Sequence, residues 1–347
     1  MLTPTVGPSS QEYDSFHKPP TGSHMSTAAA MNTNPALQRG RRVADNLDES
    51  SSILLAVDGG PASNAAARVV ADLARTTGTM VEVLTVERPQ PLPAASPEAG
   101  VVAAAAEWTV VPHRRRLQLR GQIDNVVGKR TDWPIDVEIG VPSQVITQEA
   151  ERRQSDLIAL GLQPHGALER FMKGTTALPV VMQSKTPVLA VTPSLTAAPR
   201  RIVVAVDFSR ASLRAARVAL GLLADGGTLI LTHVMPDLGT RSEVTEGWGI
   251  VYTQGIAGAF ARLQEELNAP PQVKIDTVFI EGPVAEALLS FAGAAQADLI
   301  AVGAHRHSMM DRLIVGSVTE TLVRSARRSL LVSPPSEAVR RPKITVR

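Results

Sequence analysis

The sequence predicts an α/β protein made of two doubly wound, mostly parallel five-stranded sheets of Rossmann-like type, packed as an intrachain pseudo-dimer. Three observations carry this expectation. The segment ILLAVDGGPASNAAARVVADLARTTGT (53–79) aligns without a gap on IVVAVDFSRASLRAARVALGLLADGGT (202–228). In both copies continuous apolar runs alternate with amphipathic stretches, the pattern of strands buried on both faces and joined by helices. Each copy also carries the same late loop, GLQPHGALERFMKGT (161–175) and GAHRHSMMDRLIVGS (303–317), with outer glycines thirteen positions apart. Two long copies make one unit used twice; a solenoid needs shorter and more numerous ones.

The elements follow in order. First strands ILLAV and IVVAV end at Asp58 and Asp207, and an Ala-rich helix containing AARV (66–69, 215–218) follows each. Second strands VEVLTV (81–86) and LILTHV (229–234) end at Val86 and Val234. A long helix comes next, marked in the second unit by Ile256, Phe260, Leu263 and Leu267 at helical spacing. Third strands IDVEI and IDTVFI lead to helices opened by Pro142 and Pro283. Fourth strands LIAL and LIAV precede the glycine loops, a further helix, and the last strands VLAV (188–191) and LLV (330–332). Parallel neighbours cannot be joined by tight hairpins, so the helices are obligatory crossovers. The two last strands are bare apolar edges; they are expected to pair within the chain about a pseudo-twofold axis. Further association into a homodimer stays open.

Residues 1–50 are rich in Ser, Thr, Pro and Asn without a hydrophobic period, which predicts a disordered tail. Within it GSHM (22–25) matches a cloning scar, so 1–24 are expected to be vector-derived and Met25 the natural start. The first domain is placed at 51–194, LTAAPR (195–200) is the linker, the second domain is 200–336, and 337–347 form a basic C-terminal tail.

Composition removes several function classes. The 347 residues are 44% hydrophobic and 20% charged, the balance of a soluble globular chain. Aromatics at 3% argue against a stacking platform for nucleic acid. Thirty-five basic residues against 33 acidic leave a net charge of only +2. The runs HRRR (113–116) and RSARR (324–328) read as solvated helix faces rather than a nucleic-acid patch. Without cysteine there is no disulfide, zinc-thiolate site or cysteine nucleophile, which fits a reducing cytoplasm. No apolar run reaches the length of a membrane span. Neither nucleic acid nor membrane is an expected partner.

Ligands of such sheets sit beyond the carboxyl ends of the strands, where strand order reverses. Gly161 and Gly303 leave a strand at that place, where a side chain would obstruct a ligand. Gly174-Thr175 and Gly316-Ser317 precede the next helix, whose unpaired N–H groups and dipole favour an anion. A purely structural reading stands beside this one. Ser317 and Glu320 have the spacing of a capping box, Thr175 is placed to cap its helix, and Asp58 and Asp207 are placed to cap their turns. His165 and His307 occupy equivalent positions near His305, but no third ligand is indicated and no metal site is expected. No paired carboxylates or Ser/His/Asp set has a spacing suited to catalysis. Activity beyond slow incidental ATP hydrolysis is not expected.

The stretches IVVAVDFS, THV, EGP and DLIAVGAHRHSMMDRLIVGSVTETLVRSARRSLLV resemble the universal stress protein domain, and the first unit resembles it more loosely. The resemblance spans about residues 51–335, so the chain looks like a tandem universal stress protein. In one branch of that family it implies ATP, with Mg as its companion ion, held by a Gly-x2-Gly-x9-Gly-(Ser/Thr) loop. An aspartate after strand one and a valine after strand two there approach the adenine and ribose. Carried over by position these are Asp207, Val234, Gly303, Gly316 and Ser317 in the second domain, and Asp58, Val86, Gly161, Gly174 and Thr175 in the first. In both domains the second glycine of the loop is replaced, by Pro164 and by Arg306. Proline removes an N–H that a phosphate would use. Arg306 either blocks close backbone approach or itself pairs with a phosphate. The family implies a non-catalytic regulatory module of the stress response; a nucleotide-free scaffold with an unknown protein partner is the alternative. An adenylating or ATP-pyrophosphatase enzyme would want a Ser-Gly-Gly-x-Asp-Ser loop, which DGGPAS (58–63) and DFSRAS (207–212) do not supply.

Overall fold

The apolar runs form strands because helix layers cover both of their faces: Ile53, Leu54, Leu55, Ile202, Val203 and Val204 have no exposed surface. The computed structural model of the chain describes residues 47, 51–88, 97–163, 176–235, 245–304, 316–325 and 327–334, without the side chains of 97–111 and 245–254. The expected N- and C-terminal tails lie outside the described residues, Leu47 excepted. The first domain runs β1 (Ser52–Ala56), α1 (Pro61–Thr77), β2 (Met80–Glu87), α2 (Pro97–Val127), β3 (Ile135–Ile139), α3 (Pro142–Arg153), β4 (Leu157–Gly161), α4 (Ala177–Gln183) and β5 (Val188–Val191). The second repeats it as β6 (Arg201–Ala205), α5 (Arg210–Leu222), β7 (Thr228–Met235), α6 (Thr245–Leu267), β8 (Lys274–Glu281), α7 (Val284–Ala294), β9 (Leu299–Gly303), α8 (Ser317–Ser325) and β10 (Ser329–Ser333).

The two sheets expected from the sequence are one. Strand order is β3-β2-β1-β4-β5-β10-β9-β6-β7-β8. Neighbours are parallel except at the centre, where β5 and β10 pair antiparallel with Leu189 opposite Leu331. The bare edges thus satisfy one another inside the chain. Helices α1, α2, α5 and α6 cover one face and α3, α4, α7 and α8 the other. Leu189 and Leu331 belong to the first core, Val188, Ala190, Leu330 and Val332 to the second, so both cores run through the seam. Because the seam is antiparallel, the strands of the two domains point in opposite directions. Their carboxyl ends, and any ligand sites there, lie at opposite sides of the sheet.

The ends of the seam differ. Thr192 donates its N–H to Ser329 Oγ at 3.0 Å, and the two hydroxyls lie 3.2 Å apart. Ser333, which holds the position equivalent to Val191, is fully buried, and its hydroxyl has no partner among the described residues. The junction of α3 with β2 and β3 is ionic. Arg153, its side chain 7% exposed, reaches Glu82 (2.6 Å), Asp136 (2.9 Å) and Glu149 (2.9 Å). The second domain fills the equivalent positions with Ile230, Val278, Phe291 and Ala295, all packed in its core. The turn after the first strand needs a left-handed residue. Gly59 supplies φ 84° in the first domain, but Phe208 takes φ 60° in the second, a conformation that crowds an L side chain. Its ring is held between His233 (centroids 5.0 Å apart) and Phe260 (5.2 Å, edge to face).

Three outcomes follow from these contacts. Hydrogen bonds from Arg152, and then from Arg153, hold the Glu149 carboxyl below its ordinary value against the opposing effect of burial. The N–H of linker residue Ala198 does the same for Asp72, with Arg75 assisting. A carboxyl depressed in the folded state stabilises above its unfolded value, about 4, and that contribution is lost as pH falls through the folded value. The melting temperature should therefore hold from pH 7 to about 5 and fall below about 4; Glu149→Gln should lower it at pH 7 and flatten the acid decline. Ser333→Ala removes an unpaired buried hydroxyl and should leave the melting temperature unchanged or raise it by about 2 °C; a clear drop would show that the hydroxyl has a partner. Phe208→Ala loses ring packing while keeping the backbone cost, so Phe208→Gly should be the more stable of the two by about 1 kcal/mol in urea unfolding.

Candidate functional site

The second domain holds a cavity of about 420 Å³ where the carboxyl ends of β6, β7 and β9 meet the start of α8. It gathers Asp207, Val234, Gly303, Gly316 and Ser317, residues drawn from four separate stretches of the chain. Arg306, the remaining candidate of this domain, lies outside the described residues, as do His305 and His307. Val206, Val284, Val302 and Val318 give the wall its apolar character, which suits a flat, largely apolar ring more than a bare anion. The polar groups stand at the rim. Asp207 Oδ1 accepts the N–H of Ser209 at 3.1 Å, and Ser209 Oγ accepts the N–H of Ser212 at the first turn of α5. One carboxylate oxygen of Asp207 thus fixes the turn, and the residue itself is exposed on the cavity.

His233 and Phe208 were not singled out in the sequence. His233 lines the cavity, and its Nδ1 lies 2.8 Å from the Val206 carbonyl. A carbonyl only accepts, so that nitrogen carries the proton and the ring orientation is set. The spacing signal was present in THV, where the residue before Val234 alternates away from it along the strand. Its contact with Phe208 crosses between strands and has no local signature.

The first domain arranges the same place differently. Asp58 Oδ1 accepts the N–H of Gly60 at 2.8 Å, repeating the turn of Asp207. Val86 is half-buried against the second core, and Gly161 closes β4. Gly174 and Thr175, with Pro164 and His165, lie outside the described residues. Side chains from α2 cross to the turn. Arg115 donates to the Asp58 carbonyl at 2.8 Å and stands 2.8 Å from Glu87 at the end of β2. Gln122 donates to the Gly59 carbonyl and to Asn64 Oδ1, both at 2.8 Å. HRRR is therefore not simply a solvated face: Arg115 braces this turn and Arg116 donates to the Ile135 carbonyl at 2.8 Å. The seven-residue step from Arg115 to Gln122 put both on one helix face.

Two glycines owe their identity to packing. A Cβ on Gly303 would stand 2.5–2.7 Å from the Ala211–Ser212 backbone, and one on Gly161 2.6–2.7 Å from that of Ala62 and Ser63. The first turn of α5 or α1 sits directly on the strand end, so it is this helix, not a ligand, that demands glycine there. Gly316 is the opposite case: among the described residues a Cβ there meets no atom within 4 Å. The expected capping box is absent. Ser317 is the first residue of α8, the Glu320 N–H donates to the Gly316 carbonyl at 3.2 Å, and the Glu320 carboxylate pairs with Arg324 at 2.9 Å. Thr176 rather than Thr175 holds the N-cap position of α4. Among the described residues no three His, Cys, Asp or Glu side chains gather as a metal site, and no helix is long and apolar enough to cross a membrane.

Comparison with known proteins agrees with the architecture. The model of the universal stress protein family matches twice, over residues 50–192 and 199–334. A universal stress protein of Mycolicibacterium smegmatis is 25% identical over 288 residues, covering 82% of this chain and 97% of that one. One from Methanocaldococcus jannaschii is 28% identical over 143 residues, 38% of this chain and 81% of its own length. The crystal structure of a universal stress protein from Archaeoglobus fulgidus superposes with a TM-score of 0.55 at 19% identity, covering 82% of this chain and 98% of that one, which is a likeness of fold. With both halves matched and the doubly wound order present in each, the chain belongs to the universal stress protein family as a tandem of two such domains.

Proposed function

We propose that this protein is a non-catalytic regulatory module of the stress response, and that its second domain binds an adenine nucleotide, ATP with Mg, in the cavity at the end of β6, β7 and β9. The observation that carries the proposal is the convergence of Asp207, Val234, Gly303, Gly316 and Ser317 on one cavity of about 420 Å³. The apolar wall takes the base, Asp207 at the rim faces the ribose, and the start of α8 offers backbone N–H groups to the phosphates. Arg306 on the intervening loop supplies the charge that a glycine would not. A cytoplasmic setting fits a chain without cysteine.

A second reading applies to the first domain. There Arg115, Glu87 and Gln122 tie the turn after β1 to α2, which supports reading that domain as the nucleotide-free, scaffolding half. Binding should therefore be one nucleotide per chain.

Calorimetry with ATP and Mg decides between these readings. The full chain should bind one equivalent, and native mass spectrometry should find nucleotide carried through purification. Gly316 lines the cavity and a Cβ there meets no atom of the described residues within 4 Å, so Gly316→Val should fold normally and weaken ATP at least tenfold, about 1.4 kcal/mol. Asp58→Ala should leave affinity unchanged. No heat with the parent protein, or loss only with Asp58→Ala, would reject the second-domain site. Steady release of phosphate from ATP would reject the non-catalytic role.

A further inference from the structure

The two outer strands of the sheet are guarded differently. On the β3 side, Arg116 donates to the Ile135 carbonyl, and Arg120 to the carbonyls of Thr131 and Trp133 at 2.7 and 2.6 Å. Helix α2 ties off the start of that edge with arginines, a common way of blunting an exposed strand. Strand β8 is eight residues long and pairs only with β7 among the described strands. The N–H groups of Lys274 and Gly282 donate to Gly227 and Met235, so the even-numbered backbone faces inward. Ile275, Thr277, Phe279 and Glu281 therefore turn their N–H and C=O groups outward.

Side chains on this edge are apolar where β3 is tied. Thr277 and Phe279 line a groove of about 270 Å³ with Ile256 and Phe260 of α6. Phe279 is 43% exposed. An unpaired strand with an apolar side chain of this size is a template for another strand.

We propose that this edge is where a second copy of the chain docks, β8 against β8 antiparallel, about a twofold axis through Thr277. The strand is complementary to itself in that register. Thr277 lies opposite Thr277 of the partner subunit, and Ile275 opposite Phe279 of the partner subunit, in both directions. Thr–Thr and aromatic–β-branched pairs are among the favourable cross-strand pairs. On the other face Asp276 meets Val278 and Lys274 meets Ile280, so no like charges oppose. A slip of two residues would set Ile275 against Glu281 and lose both pairs. All outward residues sit in hydrogen-bonded positions, giving about six backbone bonds across the axis. Pairing of β8 with β3 would instead be head-to-tail and open-ended, and the arginines of α2 obstruct it.

The chain has no cysteine, which makes introduced thiols clean reporters of register. Opposed hydrogen-bonded residues have Cα atoms about 5.5 Å apart, within disulfide span. Under mild oxidation of the full chain, Thr277→Cys should give a covalent dimer, and Phe279→Cys, four residues out of register with its own copy, should not. Sedimentation velocity of the unsubstituted protein should show a dimer that dissociates on dilution. Phe279→Lys should raise the dissociation constant at least tenfold while the melting temperature stays the same. The proposal is overturned by a monomer at every concentration, by assemblies that keep growing, by a dimer indifferent to Phe279→Lys, or by cross-linking through Phe279→Cys alone. Adding ATP to these experiments leaves the outcome unchanged, so the edge and the nucleotide site are judged separately.

Discussion

The antiparallel pairing of β5 with β10 is the constraint on which the rest of the molecule depends. Each domain alone would end in a largely apolar strand, buried here along its whole length, with one row of backbone groups unpaired, and such an edge is costly to expose. Joining the edges satisfies those groups and lets both hydrophobic cores continue across the boundary, with Leu189 and Leu331 on one face and Val188 and Val332 on the other. The two domains therefore share their buried interior and are not independent units joined by a tether. The same pairing fixes the direction of every other strand. It places the two carboxyl-end crevices on opposite sides of the sheet, so a ligand in one cannot touch the other.

Within that frame the two domains solve the same local problems with different chemistry. The α3 junction of the first domain is a cluster of three carboxylates about Arg153, and the second fills the equivalent space with four apolar side chains. Either solution is stable, since a buried charge that is paired and hydrogen-bonded costs little more than an apolar group of similar volume. They differ in what they respond to. The ionic junction weakens in acid, and the apolar one has no group that titrates.

The sequence made the fold legible because strands buried on both faces leave continuous apolar runs, and because the repeat supplies each element twice. It also pointed to Asp207, Val234, Gly303, Gly316 and Ser317, which do meet at one cavity. It was less informative wherever a partner comes from a distant segment. Gly303 looks like room for a ligand until Ala211 is seen 2.5 Å from where its Cβ would be. Ser317 and Glu320 have capping spacing, but Arg324 one turn on takes the carboxylate. Arg115 sits in a basic run whose local appearance is that of a solvated face, and only the packing of α2 against α1 and β3 brings it to Asp58. One continuous sheet in place of two was implied by the bare edges, yet nothing in either strand states which edge it will meet.

The turn after the first strand joins these themes. Its geometry demands a residue with positive φ, and Gly59 meets the demand without strain. Glycine offers no side chain to hold the turn, and the first domain supplies the hold from α2, through Arg115 and Gln122 on its carbonyls. Phe208 accepts the backbone cost and holds the turn with its own ring against His233 and Phe260. The consequence is spatial. A polar brace stands on the turn of the first domain, whereas in the second domain the His233 that holds the Phe208 ring is also cavity wall. The same left-handed position is thus held by a polar brace from a distant helix in one domain and by an aromatic ring of its own in the other.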